Sequence, residues 1–108
     1  MNNVTTNNIE FTRINNDVNG NPRYVCHYTA IPLTALDLSK IEDKITIAKS
    51  LGQSTVGMSI NLEYQTALIK ARKIGGKKFH NKQYGGGIVF QSYNIDRTAQ
   101  KINELVNG

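Results

Sequence analysis

The chain has 108 residues, a formal net charge of +5 and a pI near 9.5, which bounds it to one domain with one modest core. A single cysteine, Cys26, excludes an internal disulfide scaffold, and no run approaches the about eighteen apolar residues of a membrane-spanning helix. The N-terminus MNNVTTNN lacks a basic-then-apolar leader pattern, so the expected location is the cytoplasm.

Residues 1–7 are polar and are expected to be frayed and flexible. IEFTRI (9–14) alternates Ile9 and Phe11 against Glu10 and Thr12, the pattern of a half-buried strand. NNDVNGNP (15–22) is rich in turn formers. RYVCHYTAI (23–31) is β-branched and aromatic and stops at Pro32, which predicts a second strand and a long-looped hairpin. An exposed edge at 9–14 would be free to pair with a second copy, so the oligomeric state stays open.

Ser39 and Glu42 fit a capping box, and Ile41, Ile45, Ala48 and Leu51 share a helical face up to Gly52, which predicts a helix over 39–51. Ile45-Thr46-Ile47 is also a strand pattern, and this span remains open between the two. Ile60, Tyr64, Ala67, Leu68 and Ala71 recur at helical spacing, with Lys70, Arg72 and Lys73 in the last turn and a glycine stop at 75 or 76. GIVFQSY (87–93) reads as a buried strand. Asn94 or Asp96 caps a last helix that carries Ile95, Ala99, Ile102 and Val106 on one face. The order β-β-α-α-β-α predicts an α+β domain, a small and mainly antiparallel sheet with helices packed on one face.

Catalytic and cofactor motifs fail on inspection. GQSTVGMS (52–59) spaces two glycines as a phosphate cradle does, but Met58 stands where the lysine belongs, and GGKK (75–78) follows a helix instead of preceding one. His27 and His80 are far apart in sequence, and Cys26 and His27, adjacent in a strand, point to opposite faces. No metal site is expected, and no cofactor. An enzyme would have to use Cys26, His27 or His80, with no orienting group nearby; the expectation is a non-enzymatic protein with no catalytic residues.

What remains is KARKIGGKKFHNKQYGGGIVFQSYNI (70–95). No acid lies between Glu63 and Asp96, and that interval holds Lys70, Arg72, Lys73, Lys77, Lys78 and Lys82, six of the thirteen cations. Phe79, His80 and Tyr84 are interleaved. Cations neutralise phosphates, exposed aromatics stack on bases, and glycines let the backbone approach a ligand or a neighbouring element. The same cations also suit an ordinary helix C-terminus, and three glycines before a strand also make a tight pass. Lys outnumbers Arg nine to four, which favours general phosphate attraction over base reading.

The run from the basic helix end through Lys77-Lys78-Phe79, Tyr84-Gly85-Gly86-Gly87 and Val89-Phe90-Gln91-Ser92-Tyr93-Asn94 resembles a segment of small proteins found on bacterial phages and plasmids. The resemblance spans about a quarter of the chain. It implies a mobile-element context and assigns no residue a role.

Two functions are therefore expected. One is a basic binding protein of a mobile element that contacts nucleic-acid phosphates with little sequence specificity. Its site is Lys70, Arg72, Lys73, Lys77, Lys78, Phe79, His80, Lys82 and Tyr84. The alternative is a protein-interaction module that inhibits a host or defence protein through the same basic surface.

Overall fold

The computed structural model describes residues 3–80 and 86–107. In chain order these form β1 (Asn3–Thr6), β2 (Ile9–Ile14), β3 (Arg23–His27), a 3-10 turn (Tyr28–Ala30), α1 (Ala35–Ser50) and α2 (Met58–Arg72). Then come β4 (Gly76–Phe79), β5 (Gly87–Gln91), α3 (Ile95–Glu104) and a terminal 3-10 turn (Leu105–Asn107). The five strands make one antiparallel sheet in the order β1-β2-β3-β5-β4. The α+β expectation holds, with two strands more than the sequence suggested.

The first added strand is β1. Asn7 and Asn8 both have positive φ, at 50° and 66°, which makes the two-residue turn whose twist matches a β-hairpin. Val4 thereby lies opposite Phe11, and Thr6 opposite Ile9. This strand covers one side of β2, so residues 9–14 are interior and not the exposed edge expected of them. The second added strand is β4, which the sequence suggested only as a basic loop. The sheet edges are therefore β1 and β4.

Alternation sorts the strands into two faces. Ile9, Phe11, Cys26, Ile88 and Phe90 point to one side and meet Ala67, Leu68 and Ala71 of α2 and Ala99 and Ile102 of α3 in a single core. Val25 and Val89, paired across β3 and β5, point to the other side and are also buried. Leu105 closes the core after α3, while Val106, expected on that face, is exposed. Burial pushes the Cys26 thiol up to about 12, as expected of an inert core thiol.

α1 is capped five residues earlier than predicted. Thr34 is the N-cap: its hydroxyl accepts from the Asp37 N–H at 3.1 Å, and Asp37 Oδ2 accepts from the Thr34 N–H at 2.8 Å. Residues 39–51 lie in helix apart from Leu51, so the strand alternative is removed. The helix packs on α2 through Ile41 and Ala48 and leaves Leu36, Ile47 and Leu51 exposed. RYVCHYTAI stops being a strand at His27, where the chain turns into the 3-10 element instead of continuing to Ile31. Gly75, with φ at 91°, ends α2 in the left-handed conformation expected of a glycine stop. Asn94 caps α3 by accepting from the Arg97 N–H at 3.1 Å.

Candidate functional site

Two elements carry the basic segment. α2 ends with Arg72, and the chain turns at Gly75 directly into β4, which returns beneath the helix. The turn is close because Gly76 has no side chain. A Cβ there would sit 2.8 Å from Ala71 Cβ and 2.9 Å from Phe90 Cε1. The helix end and the edge strand are thus held together by small residues.

The sequence-suggested residues separate on this frame. Lys70 is not part of the surface. It is 8% exposed, and its Nζ donates to Asp37 Oδ2 and to the Pro32 carbonyl oxygen, each at 2.8 Å. That ion pair holds the Asp37 carboxyl down at about 2, with the Thr34 N–H assisting. A buried ammonium committed to a carboxylate is not available to a phosphate, so Lys70 is corrected from ligand contact to helix-pairing residue. It ties α2 to the N-terminus of α1.

Arg72, Lys73, Lys77, Lys78 and His80 are exposed. Lys77 and Lys78 alternate: Lys78 lies opposite Ile88 and shares the helix side of the sheet, while Lys77 lies opposite Val89 on the other side. Phe79 lies opposite Gly87 and is half-buried, so it is not the fully exposed stacking ring the sequence suggested. Lys82 and Tyr84 fall outside the described residues.

Lys78 and Arg72 converge on one groove, about 350 Å³, whose walls include Tyr64, Gln65, Leu68 and Ile69 of α2. The guanidinium of Arg72 is near enough to Tyr64 to oppose the rise that burial imposes on the phenol's pKa. An anion in this groove would lie between the Arg72 and Lys78 side chains, beside the apolar side chains of Leu68 and Ile69. Among the described residues, no group of three or more His, Cys, Asp or Glu converges as a metal site would require.

A second cavity of about 420 Å³ lies next to the groove along α2, and Asn61 and Tyr64 line both. Its walls include His27, Tyr28, Ile60, Asn61, Tyr64 and Gly86. Tyr28 and Tyr64 meet edge to face at 5.6 Å, and His27 lies against Tyr28 at 4.6 Å. Gly86 is the reason the rings fit: a Cβ there would lie 2.7 Å from Tyr28 Cδ1 and 3.2 Å from Tyr64 Cδ1. Its carbonyl also accepts the Tyr28 N–H at 2.9 Å. The tight pass suggested for the glycine triplet is realised at this residue. The sequence does not mark these two tyrosines as a site. Tyr64 reads as core in the helical repeat and Tyr28 reads as strand, and nothing local in the sequence brings the two together.

No helix among the described residues is long and apolar enough to cross a membrane. Comparison with curated proteins and with solved structures found no match. The family model of the Staphylococcus phage terminal repeat-encoded protein TreK matches residues 2–108, so the chain belongs to that phage protein family, and the phage context implied by residues 70–95 holds over nearly its whole length.

Proposed function

We propose that this phage-encoded protein is a small non-enzymatic nucleic-acid-binding protein of the cytoplasm that grips backbone phosphates with little sequence specificity. The observation that carries the reading is the convergence of Arg72 and Lys78 on one groove, inside a stretch with no acid from residue 64 to 95. Lys73, in the turn after α2, and Lys77, on the other side of β4, are also exposed and add to the local positive field. Two to four phosphate contacts on a duplex give a logarithmic salt slope of about −2 to −4. A salt titration of binding to DNA and to RNA tests this. Absence of binding at low salt, or binding untouched in the Lys77→Glu/Lys78→Glu variant, rejects it.

A second reading has its own support. Leu36 and Ile47 of α1 and Leu51 just after it are exposed, and their spacing puts Leu36 and Ile47 on the same side of the helix; exposed apolar side chains sharing one face are a mark of protein contact. On this reading the protein docks on a host or defence protein and inhibits it. Capture from host lysate after nuclease treatment separates the two: one stoichiometric protein that survives the nuclease, and is lost in an Ile47→Glu/Leu51→Glu variant, favours docking.

A further inference from the structure

The two neighbouring cavities differ in chemistry. Arg72 and Lys78 line one, the His27–Tyr28–Tyr64 ring cluster lines the other, and Asn61 and Tyr64 are common to both. Both lie along one helix. From Asn61 to Arg72 is eleven residues, or about 16 Å of helix at about 1.5 Å per residue, a span on the scale of a short stretch of nucleotide chain.

The ring cluster is held in place. Tyr64 donates its hydroxyl to the Gly87 carbonyl oxygen at 3.3 Å. The His27 ring is fixed by Nδ1, which pairs with the Thr29 hydroxyl at 2.8 Å and accepts the Thr29 N–H at 3.3 Å. Ile60, 62% exposed, adds an aliphatic wall. The Asn61 carboxamide stands at the rim, its Oδ1 accepting from Gln65 Nε2 at 3.3 Å, which turns its NH2 donors away from Gln65. An open aromatic cavity beside an amide, with two cations in the neighbouring groove, has the composition of a site for a planar heterocycle tethered to phosphate.

We infer that the cavity bounded by His27, Tyr28, Ile60, Asn61 and Tyr64 takes an unpaired nucleobase, so that the ligand is single-stranded nucleic acid with its backbone on Arg72 and Lys78. The inference rests on the phosphate-binding reading above and deepens it. A duplex base is paired and stacked and does not enter such a cavity without being extruded, whereas a single strand offers bases freely. The few polar groups at the rim make the site tolerant of base identity.

Fluorescence anisotropy at low salt tests it with two labelled probes: oligothymidylate and an abasic strand of the same length. The expected result is at least about five-fold tighter binding of oligothymidylate than of the abasic strand, the lower limit of one stacked base. In Ile60→Glu, which changes an exposed side chain, that ratio falls to one. Taking a ratio cancels the added charge, which acts on both strands alike. In Arg72→Glu both strands weaken together. Equal binding of both strands by the unaltered protein overturns the base cavity and leaves the phosphate reading standing. No binding of any probe rejects the phosphate reading and this inference with it. A ratio unchanged in Ile60→Glu overturns the assignment to this cavity.

Discussion

Lys70 provides the sharpest test of how the cations are divided between structure and ligand. Its Nζ lies 2.8 Å from Asp37 Oδ2, and at an effective dielectric near 20 the attraction is about 6 kcal/mol before desolvation. Removing the ammonium from water offsets most of that. The depressed Asp37 pKa, about 2 against 3.8, points the same way. At about 1.4 kcal/mol per unit, reduced for partial solvent access, the pair contributes about 1–2 kcal/mol. Lys70→Met, which keeps the buried stem and removes the charge, is expected to cost that much. Asp37→Ala leaves a buried ammonium with one carbonyl partner and also removes half of the Thr34 capping box, so its expected cost is about 3–5 kcal/mol. Urea unfolding near neutral pH measures both. The pH dependence has a definite sign. Because the folded carboxyl titrates below its unfolded value, the stabilisation is complete above about 3.8 and is lost as pH falls through about 2. Most of that acid-side slope is expected to vanish in Lys70→Met. Nucleic-acid affinity, by contrast, is expected to change less than about two-fold, because a charge that is already paired releases few counterions. A Lys70→Met variant as destabilised as Asp37→Ala, or as weak in binding as Lys78→Glu, would mean that Lys70 is not the structural partner of Asp37 described above.

Gly76→Ala is expected to destabilise the fold by about 1–3 kcal/mol, because the new methyl strikes Ala71 and Phe90 at under 3 Å; thermal unfolding measures it, with Gly52→Ala as a strained but uncrowded control. Asn94→Ala removes the α3 cap on the Arg97 N–H and is expected to cost about 1 kcal/mol in urea unfolding. The Cys26 thiol, buried and raised to about 12, is expected to resist a thiol-specific disulfide reagent in the folded protein and to react only on unfolding, which thiolate release followed by absorbance reports.

The elements that were legible in the sequence are those whose signal is local. Ile9–Ile14 alternates cleanly, Asn94 precedes a helical stripe, and Gly75 follows one, and each occurs in the structure as read. Both missed strands depend on partners. Asn3–Thr6 is polar and short, and only its pairing with β2 makes it a strand; the signal that was present is Asn7-Asn8, a two-residue turn directly before an alternating run. Gly76–Phe79 has two lysines in four residues and owes its conformation to β5. The start of α1 was misplaced because Thr34–Asp37 and Ser39–Glu42 both have capping-box spacing. The contact of Asp37 with Lys70, thirty-three residues away, marks the first of them. The same long-range contact removes Lys70 from the candidate site. The Tyr28–Tyr64 pair was invisible for an equivalent reason: a 3-10 turn and a helix are joined across it by Gly86.

Lys77 and Lys78 have a competing structural explanation. They stand on an edge strand, and lysines at sheet edges discourage pairing with another chain. Guarding an edge and holding a phosphate make different demands. An edge guard needs charge of either sign and is indifferent to neighbours, whereas phosphate contact needs positive charge with other cations converging. Lys77 meets only the first demand fully, since it lies on the sheet side away from Arg72. Lys78 meets both, because it shares the α2 groove with Arg72. The two roles are therefore unequal between adjacent residues. In Lys78→Glu the edge stays charged, so the protein should keep the elution volume of the unaltered chain on gel filtration while its nucleic-acid affinity falls about ten-fold or more, the effect of reversing a charge in a phosphate site. Lys77→Glu should keep both the elution volume and most of the affinity. If the two reversals weaken binding equally, the groove is not where the phosphate sits and the attraction belongs to the strand edge as a whole.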